Sequence, residues 1–115
     1  ALAALFYEAD AEIGIGLFER GLALDPDNVP LHTEFALALL ALDRVRFHET
    51  AIGHLRTATG LAPRTALDAL QQARARSLLA AAESGDDRVL AAEIRRIRDL
   101  RRLASDPRQP TRRND

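Results

Sequence analysis

Three histidines are the only side chains of this chain suited to metal binding or to proton transfer at neutral pH. They are His32, His48 and His54, and there is no cysteine to complete a site. His48 and His54 stand six residues apart in one predicted helix, so their side chains diverge around its axis, and His32 begins another helix. The spacing predicts structural or solvated histidines and no metal site.

The acidic residues and the glycines show no catalytic pattern either. The pairs Glu8/Glu12 and Asp86/Asp87 fall on predicted helix surfaces or in turns, away from the apolar surroundings that an acid–base couple needs. The Gly-Ile-Gly segment at 14–16 lies in the middle of a predicted helix, whereas a phosphate-binding loop follows a strand. We predict no catalytic residue, no cofactor and no enzymatic activity.

Charge is distributed unevenly along the chain. The formal net charge is −1, and all 16 basic residues are arginine, which we attribute to codon usage in a GC-rich bacterial genome. Residues 1–87 carry seven arginines against thirteen acids, whereas residues 88–115 carry nine arginines against four acids. Solvated surface charge is the more common explanation of such an asymmetry, and the alternatives are head-to-tail self-association or an anionic partner for the C-terminal part.

Four arginines on one side of the last predicted helix form the candidate face for an anionic partner. They are Arg88, Arg95, Arg98 and Arg102. Guanidinium groups spaced along a helix can follow phosphates, so nucleic-acid binding is one alternative function. The same helix has no aromatic residue for base stacking and the rest of the chain is acidic, so we do not expect nucleic acid as the partner.

Helical spacing of apolar residues dominates the sequence, and no segment alternates long enough to form a strand. The pattern predicts an all-α domain with helices over about 1–9, 11–24, 29–42, 46–59, 65–83 and 87–104, followed by a disordered tail over 105–115. The 115 residues are enough for one domain with its own core. No apolar run is long enough for a membrane span or resembles a signal peptide. The sequence leaves the compartment undetermined, with a cytoplasmic location favoured.

Prolines mark two of the predicted turns. Pro26 stops one helix. Pro30 lies in the first turn of the next helix, where a backbone N–H has no partner within the helix, so its absence costs nothing. Asn28 is a good N-cap for that second helix. A similar stop and restart follows 37 residues later at Pro63, and Thr65 with Asp68 has the sequence of a capping box.

The repeated helix–turn–helix pattern resembles the tetratricopeptide repeat family. In that family a small residue is followed four positions later by an aromatic residue, three later by another small residue, and five later by a proline. The second predicted helix has Gly14, Phe18, Gly21 and Pro26 at these places, and the fourth has Ala51, Leu55, Ala58 and Pro63. The resemblance implies a right-handed α-solenoid of antiparallel helix pairs over 1–104, with repeats at about 1–28, 29–65 and 66–104, the third degenerate.

The second predicted helix contains three glycines, which is unusual for its place in such a repeat. Its stripe at helical spacing predicts that Ile13, Leu17, Phe18 and Leu24 face inward. Its three glycines each lower helix stability by about 1 kcal/mol relative to alanine, so we expect a close helix contact there to offset them.

The resemblance also implies a concave, mostly apolar groove that receives a peptide. Carried over by position, its lining residues are Phe6, Tyr7, Thr33, Leu37, Leu40, Leu70, Arg74 and Leu78, together with the smaller Ala3, Ala41 and Ser77. Pro30, Thr33, Glu34 and Leu37 stand where family members that clamp a C-terminal carboxylate have Lys, Asn and Arg. The resemblance therefore does not imply a carboxylate clamp.

Together these features predict a non-catalytic interaction scaffold or adaptor that binds a protein or peptide through the groove, or that assembles with itself. The alternative is a C-terminal recruitment or assembly appendage of a larger bacterial enzyme, because the chain starts without methionine and the first predicted helix is short. Nucleic-acid binding through the last helix is the remaining alternative.

Overall fold

The protein is all-helical throughout the part that the structure describes. A computed structural model gives the backbone of residues 2–105 and the side chains of residues 11–100. Five helices and no strand occur in this range: α1 (Leu2–Leu24), α2 (Val29–Leu42), α3 (His48–Gly60), α4 (Ala66–Glu83) and α5 (Asp87–Ser105). The predicted all-α class is confirmed, and residues 106–115 of the predicted tail lie outside the described residues.

The first helix departs most from the predicted layout. The segments predicted as separate helices over 1–9 and 11–24 form one helix, α1, of 23 residues. They are joined by Ala9, Asp10 and Ala11, with no proline or glycine to end the helix there. The described residues therefore form five helices where the sequence pattern predicted six.

The predicted caps are present at the starts of α2 and α4. The Asn28 side chain accepts a hydrogen bond from the backbone N–H of Leu31 at 2.9 Å. Thr65 Oγ1 accepts one from the N–H of Asp68 at 3.1 Å, and Asp68 Oδ2 accepts one from the N–H of Arg64 at 2.8 Å. Since the carboxylate reaches the residue before the cap, this is a variant of the predicted capping box.

Helices α1 and α2 run antiparallel with a register that several contacts define. The rings of Phe18 and Phe35 are stacked with centroids 4.9 Å apart, and Gly21 lies against the Leu31 side chain. Ala11 and Leu42 line the same cavity. Because Leu42 ends α2, the first turns of α1, residues 2–10, extend beyond the end of that helix.

The face of α1 that packs inward differs from the predicted one. Ile15, Phe18 and Leu22 are half-buried against the core. Ile13, Leu17 and Leu24 are 60, 59 and 88% exposed, so the prediction that they face inward is wrong. The stacking of Phe18 on Phe35 fixes the rotation of α1, and Leu17 lies about 100° further around the helix.

Helix α2 lies at the centre of the molecule, since it packs against each of the other four helices. It contributes eight buried residues, among them Leu39 and Leu40 at 2 and 1% exposure. Leu55 from α3 and Leu78 from α4 are fully buried beside it. The site described next is formed where α1 and α5 pass over the C-terminal half of this central helix.

Candidate partner-binding groove

A groove over the C-terminal half of α2 lies between α1 and α5. It consists of two adjoining cavities, of about 590 and 430 Å³. Ala41, Leu42 and Arg98 line both of them, so the two cavities adjoin at these residues. We call the lobe between α1 and α2 the apolar lobe and the lobe between α2 and α5 the charged lobe.

The apolar lobe exists because small residues meet where α1 crosses α2. Ala11 and Gly14 on α1 face Ala38 and Ala41 on α2, and none of these side chains is large enough to fill the space between the helices. Larger side chains form the rest of its walls, namely Ile15, Phe18, Leu39 and Leu42. An apolar concave surface of this kind suits aliphatic or aromatic side chains of a partner.

The charged lobe places three arginines around an apolar floor. Arg95 and Arg98 come from α5 and Arg44 from the turn after α2. Arg44 Nη1 donates a hydrogen bond to the backbone oxygen of Asp87 at 3.2 Å, which connects that turn to the start of α5. The remaining lining residues are Leu40, Ala41, Leu42, Asp43, Ala91, Ile94 and Asp99. The arginines outnumber the two carboxylates, so the lobe favours an acidic group.

Four residues predicted to line a groove belong instead to the core. Thr33, Leu37, Leu40 and Leu78 are 3, 3, 1 and 0% exposed. Thr33 Oγ1 donates to the backbone oxygen of Val29 at 3.0 Å, so its hydroxyl is already bonded. Helix α4 packs along α2, and α5 packs against α4 and near the C-terminal end of α2, so these side chains lie between helices. In this structure a partner reaches none of the four side chains except at the edge of Leu40, which lines the charged lobe.

The other predicted groove residues are scattered. Leu70 is 51% exposed and Arg74 is half-buried on α4, and neither lines either lobe. Phe6 and Tyr7 lie in the helical backbone of α1, but their side chains are outside the described residues. Ala41 is the one predicted residue that is exposed and lines both lobes.

Two of the four arginines predicted on one side of α5 line the groove. Arg95 and Arg98 line the groove, whereas Arg88 is exposed in the first turn of α5 and lines neither lobe. Arg102 lies in the backbone of α5, with its side chain outside the described range. Arg44 was not predicted, because only the tertiary structure brings the turn after α2 beside α5.

Two histidines that the sequence pattern kept apart are in direct contact. The Nδ1 atoms of His32 on α2 and His54 on α3 are 3.0 Å apart. His32 Nε2 lies 2.7 Å from the backbone oxygen of Pro26. The hairpin of α2 and α3 could have indicated the pairing, because antiparallel helices bring residues on either side of their turn together.

The surroundings of His54 favour its neutral form. Burial lowers the pKa of His54, the nearby His32 lowers it further, and Glu19 on α1 acts in the opposite direction. The ring of Phe35 contacts His54 with centroids 4.6 Å apart. The pair is thus part of the packing between α1, α2 and α3.

No group of three or more potential metal-ligating side chains occurs among the described residues. Within the same range, no helix is long and apolar enough to span a membrane. No protein-family model matches this chain, and comparison with curated proteins and with solved structures gives no match either.

Proposed function

We propose that this protein is a non-catalytic binding module that holds a protein segment in the groove over α2. The observation that carries the proposal is that the apolar and charged lobes lie side by side and share Ala41, Leu42 and Arg98 as lining residues. A segment that fits has an aliphatic or aromatic side chain for the apolar lobe and a carboxylate nearby for the arginines. Apolar anchors in concave sites supply most of the affinity, and charged contacts add specificity.

We propose the tetratricopeptide-like solenoid as the finer architecture. Its support is the order of the elements: α2 with α3 and α4 with α5 are successive helix pairs, and α2 packs against α4 across them. The first repeat has only α1, which continues through the position of the predicted turn.

Nucleic-acid binding has weaker support than protein binding. Arg96 is paired with Glu93, and Arg95 and Arg98 line the groove beside apolar residues. A surface that follows phosphates needs arginines along an open face.

The groove can be tested with a displayed library of random peptides selected on the wild-type protein. We expect the enriched peptides to combine a large apolar residue with an aspartate or glutamate. Ala38→Trp fills the apolar lobe from an exposed position and is expected to weaken their binding about tenfold or more. Arg98→Gln is expected to weaken binding and to reduce its dependence on salt.

The matched control is Ala80→Trp, the same substitution at an exposed alanine of α4 that lines neither lobe. Thermal unfolding checks that the variants fold. Failure to enrich any peptide, or equal binding by wild type and Ala38→Trp, would contradict the proposal. Salt-dependent retention on random DNA that is lost in Arg95→Gln and Arg98→Gln would support the nucleic-acid alternative instead.

A further inference from the structure

A third cavity lies between α1 and α3, beside the apolar lobe of the groove. Its volume is about 370 Å³, within the ~300–1,000 Å³ of small-molecule sites. Among the described residues α1 and α3 both pack against α2 but not against each other, which leaves this space between them. Its apolar walls are Ile15 and Leu22 of α1, the buried Phe35 and Leu39 of α2, and Phe47 at the start of α3. We call it the α1–α3 cavity.

The charge around this cavity is opposite to that of the groove. Both lobes of the groove are lined by arginine, whereas Glu19 of α1 carries the only charge among the described side chains that line the α1–α3 cavity. Glu19 is exposed and forms no ion pair with an arginine in the described part of the chain. Arg46 belongs to the next cavity, and its guanidinium carbon lies 4.9 Å from the centroid of the Phe47 ring. An aromatic wall residue of the α1–α3 cavity thus already contacts a cation.

The second polar group of the cavity is the His54 ring, whose free nitrogen is an acceptor. His32 Nε2 donates to the backbone oxygen of Pro26, so His32 Nδ1 accepts the hydrogen bond from His54 Nδ1. A neutral His54 then has no hydrogen on Nε2, and this atom has no hydrogen-bond partner among the described residues. Burial lowers the pKa of His54, which keeps the ring neutral at pH 7, and Glu19 is close enough to act on the same pKa in the opposite direction. A carboxylate and an imidazole nitrogen that both accept hydrogen bonds therefore lie near each other at the cavity.

We propose that the α1–α3 cavity binds a small organic amine, with an ammonium group attached to an aromatic or aliphatic body. The ammonium group has a positive charge for the Glu19 carboxylate and several N–H donors, one of which is available to His54 Nε2. The apolar body packs against the side chains of Phe35 and Leu39 at the base of the cavity. An acid of the same shape lacks these donors and is repelled by Glu19. The site is separate from the peptide groove and does not depend on peptide binding.

Three probes that share a phenylethyl body and differ in the head group test the proposal. They are 2-phenylethylamine, 2-phenylethanol and 3-phenylpropanoate, and their binding to the full chain is followed by ¹⁵N chemical shifts at neutral pH. We expect the amine to bind with a Kd on the order of 1 mM, as is usual for a ligand of this size, and the alcohol to bind more weakly. The amine is expected to shift amides of α1 and α3 around the cavity. Shifts caused by 3-phenylpropanoate are expected only around the groove, beside its arginines.

Two variants with matched controls test the carboxylate and the cavity separately. Glu19→Gln removes the charge and is expected to weaken binding of the amine about threefold or more. Its control is Glu12→Gln, about 10 Å earlier on the same helix and outside the cavity, where a surface charge is screened at physiological salt. Thr50→Trp fills the cavity from an exposed position of α3 and is expected to weaken binding about tenfold or more. Its control is Thr57→Trp, at an exposed threonine of α3 that does not line the cavity, and thermal unfolding checks that all four variants fold.

Several results would overturn the proposal. They are the absence of shifts with the amine at about ten times the expected Kd, equal binding of the three probes, and equal binding of the amine by wild type and Glu19→Gln. Tighter binding of an acetylated and amidated Gly-Lys-Gly peptide than of the amine would assign the cavity to a lysine side chain of a protein and overturn the small-molecule assignment. Ala38→Trp should bind the amine like wild type and Thr50→Trp should bind groove peptides like wild type, so failure of the groove and failure of this site are distinguishable.

Discussion

When both rings are neutral, His32 and His54 can form the hydrogen bond between them in only one combination of tautomers. The Pro26 backbone oxygen can only accept, so His32 Nε2 carries a hydrogen and donates to it. His32 Nδ1 is then an acceptor, and His54 Nδ1–H donates to it across 3.0 Å. The contact thus fixes the tautomers of both rings and connects α2, α3 and the turn before α2.

Removing His54 is expected to reduce the pH dependence of stability. Because burial lowers the folded-state pKa of His54 from 6.5, the unfolded chain binds more protons as the pH falls. This contribution to stability is fully present above about pH 6.5 and declines as the pH falls below it. The free energy of unfolding, measured with urea at several pH values, should vary less in His54→Gln than in wild type over this range.

The control for this measurement is His48→Gln, which removes an imidazole six residues earlier in α3. All other titratable groups are shared by the two variants and the wild type, so a change in pH dependence that occurs only in His54→Gln is due to His54. An identical pH dependence in wild type and His54→Gln would show that the pair does not couple protonation to folding.

At the scale of elements, α1 shows where local composition is a poor guide to packing. The sequence led us to expect close contacts at its glycines. Only Gly21 has one, since an added Cβ there would lie 2.8 Å from Leu31 Cδ2, whereas a Cβ added at Gly14 or Gly16 would meet no neighbouring residue within 4 Å. The low helix propensity of Gly16 is therefore not offset by any contact in the described residues.

Replacing Gly16 and Gly21 by alanine separates the effect of helix propensity on stability from the effect of side-chain packing. Gly16→Ala is expected to stabilise the protein by about 1 kcal/mol, because alanine favours the helix and the new methyl group meets no atom. Gly21→Ala gains the same stability from helix propensity, but the new methyl group must displace the Leu31 side chain, so the net stabilisation is expected to be smaller. Urea denaturation of both variants at low protein concentration measures the difference, and equal stabilisation would mean that Leu31 moves without cost.

The ends of α2 and α4 could be predicted because their causes are local. Asn28 and Thr65 cap helices through atoms three residues away, and Pro26 lies two residues after the end of α1. The continuity of α1 was missed because the resemblance to a repeat family suggested a turn that Ala9, Asp10 and Ala11 do not encode. Local residues also outweigh the family pattern in this helix.

At the scale of the whole molecule, burial is greatest in α2 and least in α1. Helix α2 has eight buried residues, whereas none of the described side chains of α1 is fully buried. A helix held by few buried contacts opens locally at lower free energy than the rest of the fold.

Hydrogen exchange followed by mass spectrometry should reflect this order. We expect amides of α1 to exchange well before those of α2 and α3. Equal protection of α1 and α2 at low concentration would contradict the assignment of α1 as the least stable helix.

The sequence by itself determined the all-α class, the extent of α2 and α4 and the caps that start them, because periodicity and capping act over a few neighbouring residues. Only the tertiary structure decided which sides of the helices are accessible. Leu37 and Leu40 are buried because other helices pack against α2, and Ile13 and Leu17 are exposed because Phe18 sets the rotation of α1. The groove and the contact between His32 and His54 arise from residues distant in sequence, whose proximity depends on how whole helices pack.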